Sequence, residues 1–121
     1  MIADTPYAQM LGIRTLDTGT LMMPVSSDLE GRTGFLYGGV IASLLELACL
    51  EAVSLELGGI DRRPRPVNIS FDFLRGGEMA DSFAQARIVR IGKRIVNASA
   101  LCWQRDRDKP IASARMHLML D

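Results

Sequence analysis

Histidine is all but missing: His117 is the only one in 121 residues. That excludes a mechanism built on a histidine pair, and a metal held by several imidazoles. Cysteine is nearly as scarce. Cys49 and Cys102 stand far apart with no CxxC spacing, which is neither a disulfide framework nor a metal knuckle, and both are expected to stay reduced inside a cell. Net charge is missing too, since 14 lysines and arginines balance 14 aspartates and glutamates. Without a broad field of one sign, generic binding to nucleic acid or to an anionic membrane is excluded, and an anionic ligand has to be met by a local basic cluster. No apolar run stays free of charge for the thickness of a bilayer, because Glu46, Glu51 and Glu56 interrupt the longest one, 38–57. Asp4, Arg14 and Asp17 stand where an export signal needs a basic start and a long apolar centre, so a cytoplasmic location is expected.

What is present is an ordinary core. With 48% apolar and 23% charged residues, the chain reads as one domain over 1–121, without internal repeat, linker or low-complexity tract. Thr5-Pro6 opens a short helix, with threonine as cap and proline at the first helical position, and Gly12 closes it. Extended chain follows over 13–25, turning at Asp17-Thr18-Gly19-Thr20, and then a polar loop over 26–34. The longest helix is expected from Val40 to about Leu57, closed by Gly58-Gly59, and it is apolar nearly all round, so most of its sides must be covered. Steps of five residues place Glu46, Glu51 and Glu56 about 140° apart in succession. They cannot share one solvent edge, so at least one carboxylate is expected to point into a crevice or interface.

The remainder alternates as strands. Val67, Ile69, Phe71 and Phe73 interleave with Asn68, Ser70 and Asp72; 83–91 is a second and less regular strand; Gly92-Lys93 turns into a third over 94–104. On that third strand Val96, Ala98, Ala100 and Cys102 form one face of small residues, low enough to admit a bulky helix. The last strand, 111–120, puts Ala112, Ala114, Met116, Leu118 and Leu120 on one face and Ser113, Arg115 and His117 on the other. The expected class is α+β: one long helix wrapped by an antiparallel sheet of about five strands. A helix this apolar is hard for one chain to cover, and pairing of two sheets edge to edge is the natural remedy.

The segment Gly34-Phe35-Leu36-Tyr37-Gly38-Gly39-Val40-Ile41-Ala42-Ser43-Leu44-Leu45-Glu46 resembles the signature of the hotdog-fold thioesterases of the phenylacetate-pathway (PaaI-like) group. That family carries a loop asparagine, a His-Gly-Gly and an acid nine positions after the histidine. Here Gly38, Gly39 and Glu46 match, while Tyr37 replaces the histidine and Gly31 the asparagine. Pro66–Arg75 looks like the family's strand after the helix, and Arg90-Ile91-Gly92-Lys93-Arg94 like its coenzyme A hairpin. The resemblance implies a hotdog fold over nearly the whole chain and an acyl-coenzyme A substrate. It also implies no cofactor or metal, and a homodimer or dimer of dimers in which the acid of one subunit works with the loop of its partner.

The chemistry is legible without the family. A helix start presents free N–H groups and partial positive charge, and Gly38 and Gly39 let a thioester carbonyl approach that backbone as its oxyanion develops. Glu46 is then the general base on water, or the nucleophile; the plainer reading is a solvated helix glutamate. Tyr37 is either a hydroxyl donor to the carbonyl or a packed aromatic. Substrate contacts are assigned to Gly34, Gly39, Arg75, Gly92, Lys93 and Arg94, with Arg62, Arg63 and Arg65 as further phosphate partners or as solvated surface. The competing function is an acyl-coenzyme A binding protein that hydrolyses nothing; a hydratase is disfavoured because no histidine lies near the helix. His117 is expected at the surface, and Met22, Met23 and Trp103 in structural roles.

Overall fold

The structure, a computed structural model, describes residues 1–17, 19–58 and 64–120, so Thr18, Gly59, Arg62 and Arg63 lie outside the described residues. After a single 3-10 turn (Ile2–Asp4), helix α1 (Pro6–Met10) begins at Pro6, where the absent N–H leaves nothing unsatisfied. Thr5 is its cap by position only: its hydroxyl donates to the Ile2 carbonyl at 2.7 Å, which also accepts from the Thr5 N–H at 3.0 Å. Gly12, at φ 75°, swings the chain into a hairpin of β1 (Arg14–Thr15) and β2 (Leu21–Met23), paired Arg14 to Met22 and Thr15 to Leu21.

Helix α2 (Gly38–Glu56) starts two residues before the expected Val40, because Tyr37 leaves the helix with ψ 133° and its carbonyl already accepts from Val40 and Ile41. Length and hydropathy alone would let α2 cross a membrane. Eight of its residues are instead buried within the protein: Ile41, Leu44, Leu45, Leu47, Ala48, Cys49, Glu51 and Val53. Gly58, at φ 69°, ends it in the left-handed conformation that only glycine adopts freely.

Strands β3 (Arg65–Phe73), β4 (Ser82–Ile91), β5 (Ile95–Trp103) and β6 (Ala112–Met119) join the hairpin in one antiparallel sheet of order β1-β2-β4-β5-β6-β3. The count is six rather than about five because the 13–25 segment folds into two short strands. The irregular alternation of 83–91 has a cause: a register shift between Ile88 and Arg90 leaves Val89 as a bulge. The face beneath α2 is graded. Ala86, Ala100 and Ala114 are cross-strand neighbours, as are Ala84, Cys102 and Ala112, whereas Val96 lies beside Leu118 farther along. The expected small-residue face is thus the floor on which the helix lies, and Met116, Leu118, Leu44 and Leu45, all fully buried, each contribute about 1.5–3 kcal/mol of apolar burial. Trp103 stacks on Phe83 at 6.0 Å on the opposite face, with Arg107 4.7 Å above it.

Both cysteines are free and buried. Burial, with the Glu46 charge as the smaller cause, pushes the Cys49 thiol up from 9.0 to about 12, and burial alone does the same to Cys102. Between those two values the unfolded chain gives up thiol protons that the folded chain keeps, so stability should hold up to about pH 9 and fall above it. Titration with an aromatic disulfide at pH 8 should find no reactive thiol in the native protein and both in denaturant. A rapid native reaction would show that Cys49 or Cys102 is reachable.

Candidate functional site

The loop before α2 is built to deliver its residues to the helix start. Gly31 N–H donates to the Phe35 carbonyl at 2.9 Å and Tyr37 N–H to the Leu29 carbonyl at 2.9 Å, folding 29–37 back on itself. Gly34 takes φ 86° at the tip, and its N–H donates to Glu30 Oε2 at 2.8 Å. The facing wall is Gly76-Gly77, tied to the loop by Leu36 N–H donating to the Gly77 carbonyl at 2.8 Å. The Gln104 amide fixes that wall from behind, since its Oε1 accepts from Glu78 N–H at 3.0 Å and its Nε2 donates to the Glu78 carbonyl at 2.8 Å. Glycine is needed there for closeness: a Cβ at Gly76 would meet Phe35 Cε1 at 2.8 Å, and one at Gly77 would meet Ile41 Cδ1 at 2.8 Å.

Between loop and wall lies an open cleft of about 400 Å³, lined by Tyr37, Gly38, Ile41, Phe73 and Arg75 among others, with Arg32 over the Phe35 ring at 5.3 Å. Val40 and Ile41 N–H both donate to the Tyr37 carbonyl, at 3.0 and 3.3 Å. The Gly38 and Gly39 N–H groups are left without an acceptor among the described residues. The free Gly38 amide and the positive end of a 19-residue helix therefore meet at the cleft, with the Gly39 amide next to it in the first turn.

Of the residues picked from sequence, Tyr37, Gly38 and Arg75 line this cleft, and Gly39 lies beside the Tyr37 ring. Gly34 is committed to the loop. Glu46 stands half-buried, about 12 Å along the helix axis from Gly38, and does not line this cleft. Gly92, Lys93 and Arg94 gather with Arg90, Ile95 and Asn97 in a second hollow of about 540 Å³ with no acidic lining among the described residues. That hollow sits at the opposite end of the sheet: Ile95 pairs with Met119 and Met119 with Arg65, whereas Phe73 and Arg75 lie by Ala112 and Ile111. Arg75 is thus separated from the basic hairpin with which it was grouped. His117 is exposed on β6, as expected.

The inward carboxylate of α2 is Glu51 rather than Glu46. Glu51 is 1% exposed; its Oε2 accepts from the Thr15 hydroxyl at 3.2 Å, and its Oε1 has no partner among the described residues. Periodicity requires one glutamate to turn inward, but only the path of the N-terminal segment decides which. Gly76, Gly77 and Ile41 were not legible as site residues, because their part depends on how loop and wall approach.

The sequence profile of the thioesterase superfamily matches residues 33–111. No curated protein matches the chain. Among solved structures, a thioesterase family protein from Silicibacter pomeroyi is 26% identical, with a TM-score of 0.83 over 98% of this chain and 91% of that one. A phenylacetic acid degradation-related protein from Ralstonia eutropha is 24% identical, with a TM-score of 0.81 over 97% and 92%. A Bacillus halodurans protein solved with coenzyme A is 18% identical, with a TM-score of 0.84 over 97% and 79%. With its long helix lying on a six-stranded antiparallel sheet, and with the profile covering loop, helix start and strands alike, the chain belongs to the thioesterase superfamily and has the hotdog fold.

Proposed function

We propose that the protein hydrolyses an acyl-coenzyme A thioester to a carboxylate and free thiol. The observation that carries this reading is the unsatisfied Gly38 amide at a helix start that lines a largely apolar cleft in a chain of this family. The thioester carbonyl accepts from the Gly38 amide, and the Tyr37 hydroxyl is a second donor. Water, deprotonated by Glu46, attacks the carbonyl carbon; the C–S bond of the tetrahedral intermediate then breaks, and the thiolate takes the proton back. Arg90, Lys93 and Arg94 hold the phosphates of coenzyme A, which the coenzyme-bound Bacillus halodurans relative makes a natural ligand class.

This arrangement needs two protomers. Among the described residues β3 is an edge strand bonded to β6 alone, with Val67 59% and Phe73 55% exposed. Two β3 edges paired about a two-fold axis run antiparallel, so the Phe73 end of one protomer meets the Arg65 end of the other. The basic hairpin of the partner then comes to the end of the assembly where the first protomer's α2 starts. Ser70, exposed near the middle of β3, would face its own copy, and Ser70→Lys should weaken the dimer at least about tenfold by sedimentation. A wild-type protein that sediments as a monomer would overturn the paired site.

One observation favours the binding-only reading: among the described residues no carboxylate lines the cleft within a protomer. Thiol release from short, medium, long and aromatic acyl-coenzyme A esters separates the two. Release supports the hydrolase, and the preferred ester reports the length of the cleft. Thermal stabilisation by these esters without release supports a binding protein.

A further inference from the structure

We propose that Gly31 and Gly39 are positioning residues that together form a seat for the Tyr37 ring and hold its phenol on the cleft wall. Neither glycine has a positive φ, in contrast to Gly12, Gly19, Gly34 and Gly58, so the backbone does not demand glycine at either place. Space does. A Cβ at Gly39 would lie 2.6 Å from Tyr37 Cε2 and 3.1 Å from Cδ2; one at Gly31 would lie 2.9 Å from Tyr37 Cα and 3.2 Å from Cδ1. The ring is thus held by opposite edges, Cδ1 toward Gly31 and Cδ2–Cε2 toward Gly39. Glycine in the first turn of α2 is otherwise a poor choice, since alanine forms helix better. Tyr37 itself is 60% exposed, lines the cleft, and its hydroxyl has no partner among the described residues. An aromatic residue fixed at its ring while its hydroxyl stays free suits a ligand-facing donor better than a packing residue.

The seat also explains why Gly31 and Tyr37 occur together. The Tyr37 backbone comes so close that no side chain of any kind fits at residue 31, whereas the ring alone excludes one at residue 39. The inference rests on the hydrolase reading only for its most direct readout. Gly39→Ala should lower kcat about tenfold or more with little change in KM and an unchanged or higher Tm, whereas adding it to Tyr37→Ala should change kcat less than about twofold. Gly31→Ala should lower kcat as well, without relief by Tyr37→Ala, because the offending Cα remains. Equal losses from Gly39→Ala in both backgrounds, or no loss in either, would overturn the seat. If the wild type releases no thiol, the hydrolase reading falls, and the same cycle is read on the Kd of a non-hydrolysable S-(2-oxopropyl) thioether of coenzyme A. Coupling between residues 37 and 39 there supports the seat, and additivity or absence of binding overturns it.

Discussion

Glu46→Gln is expected to lower turnover of the preferred thioester about a hundredfold to ten-thousandfold while leaving fold and ligand affinity in place, the span usual for loss of a positioned general base. Glutamine is nearly isosteric, forms helix as well as glutamate, and removes the charge with the ability to take a proton or to attack a carbonyl. Glu46 is half-buried and within one turn of Cys49, whose thiol its charge helps to push up to about 12, so its field acts on the inner side of the helix as well as toward solvent. The measurement is kcat by thiol release, with Tm and the affinity for a thioether analogue as controls. A fully active Gln variant would remove Glu46 from the mechanism. A variant that binds but does not turn over would place the Glu46 carboxylate in the chemical step, as base or as nucleophile.

Leu44→Ala is expected to cost about 2–5 kcal/mol, toward the upper end of that range. Leu44 is fully buried in the face of α2 that meets the sheet. The usual relief for such a truncation is inward movement of neighbours, and here the neighbours cannot supply it. Ala84, Ala98, Ala100, Ala112 and Ala114 are all 2% exposed or less, and alanine has no side chain with which to reach upward. For a domain of this size the cost corresponds to a drop in Tm of roughly 4 °C per kcal/mol. Urea unfolding at fixed protein concentration measures it, and a loss below about 1 kcal/mol would show that α2 can settle onto its floor.

Most of the fold is legible in the order of residues alone, for a physical reason. Strands β5 and β6 are covered on one face by a helix and open on the other, so Val96, Ala98, Ala100 and Cys102, and likewise Ala112 through Leu120, declare their burial by simple alternation. β3 alternates just as clearly, yet Val67 and Phe73 stay exposed, because alternation tells which face a residue takes and not whether anything covers that face. The helix start of the site is legible in the same local way, through Tyr37-Gly38-Gly39 beside a long apolar segment. The Tyr37 seat is not, since it depends on residue 31 meeting residue 37 across a folded loop. Nor is the choice of Glu51 over Glu46 for the inner side, which is decided by Thr15 from a different part of the chain.

The strand order also fixes the sequence of events by which the sheet can assemble. β4 with β5 and β5 with β6 are neighbours in the chain and can zip over short turns. β3 is synthesised before all of them, yet its partner is β6, with Phe73 opposite Ala112 and Arg65 opposite Met119, and it must wait until the intervening hairpins exist. During that interval both of its edges are open and Phe71 and Phe73 have nothing above them. Another chain caught at the same stage offers an edge of matching length, so premature pairing between copies competes with completion of the sheet. Refolding yield is therefore set by dilution as much as by stability, and slow release of the chain at low concentration is the condition under which β3 finds β6 first.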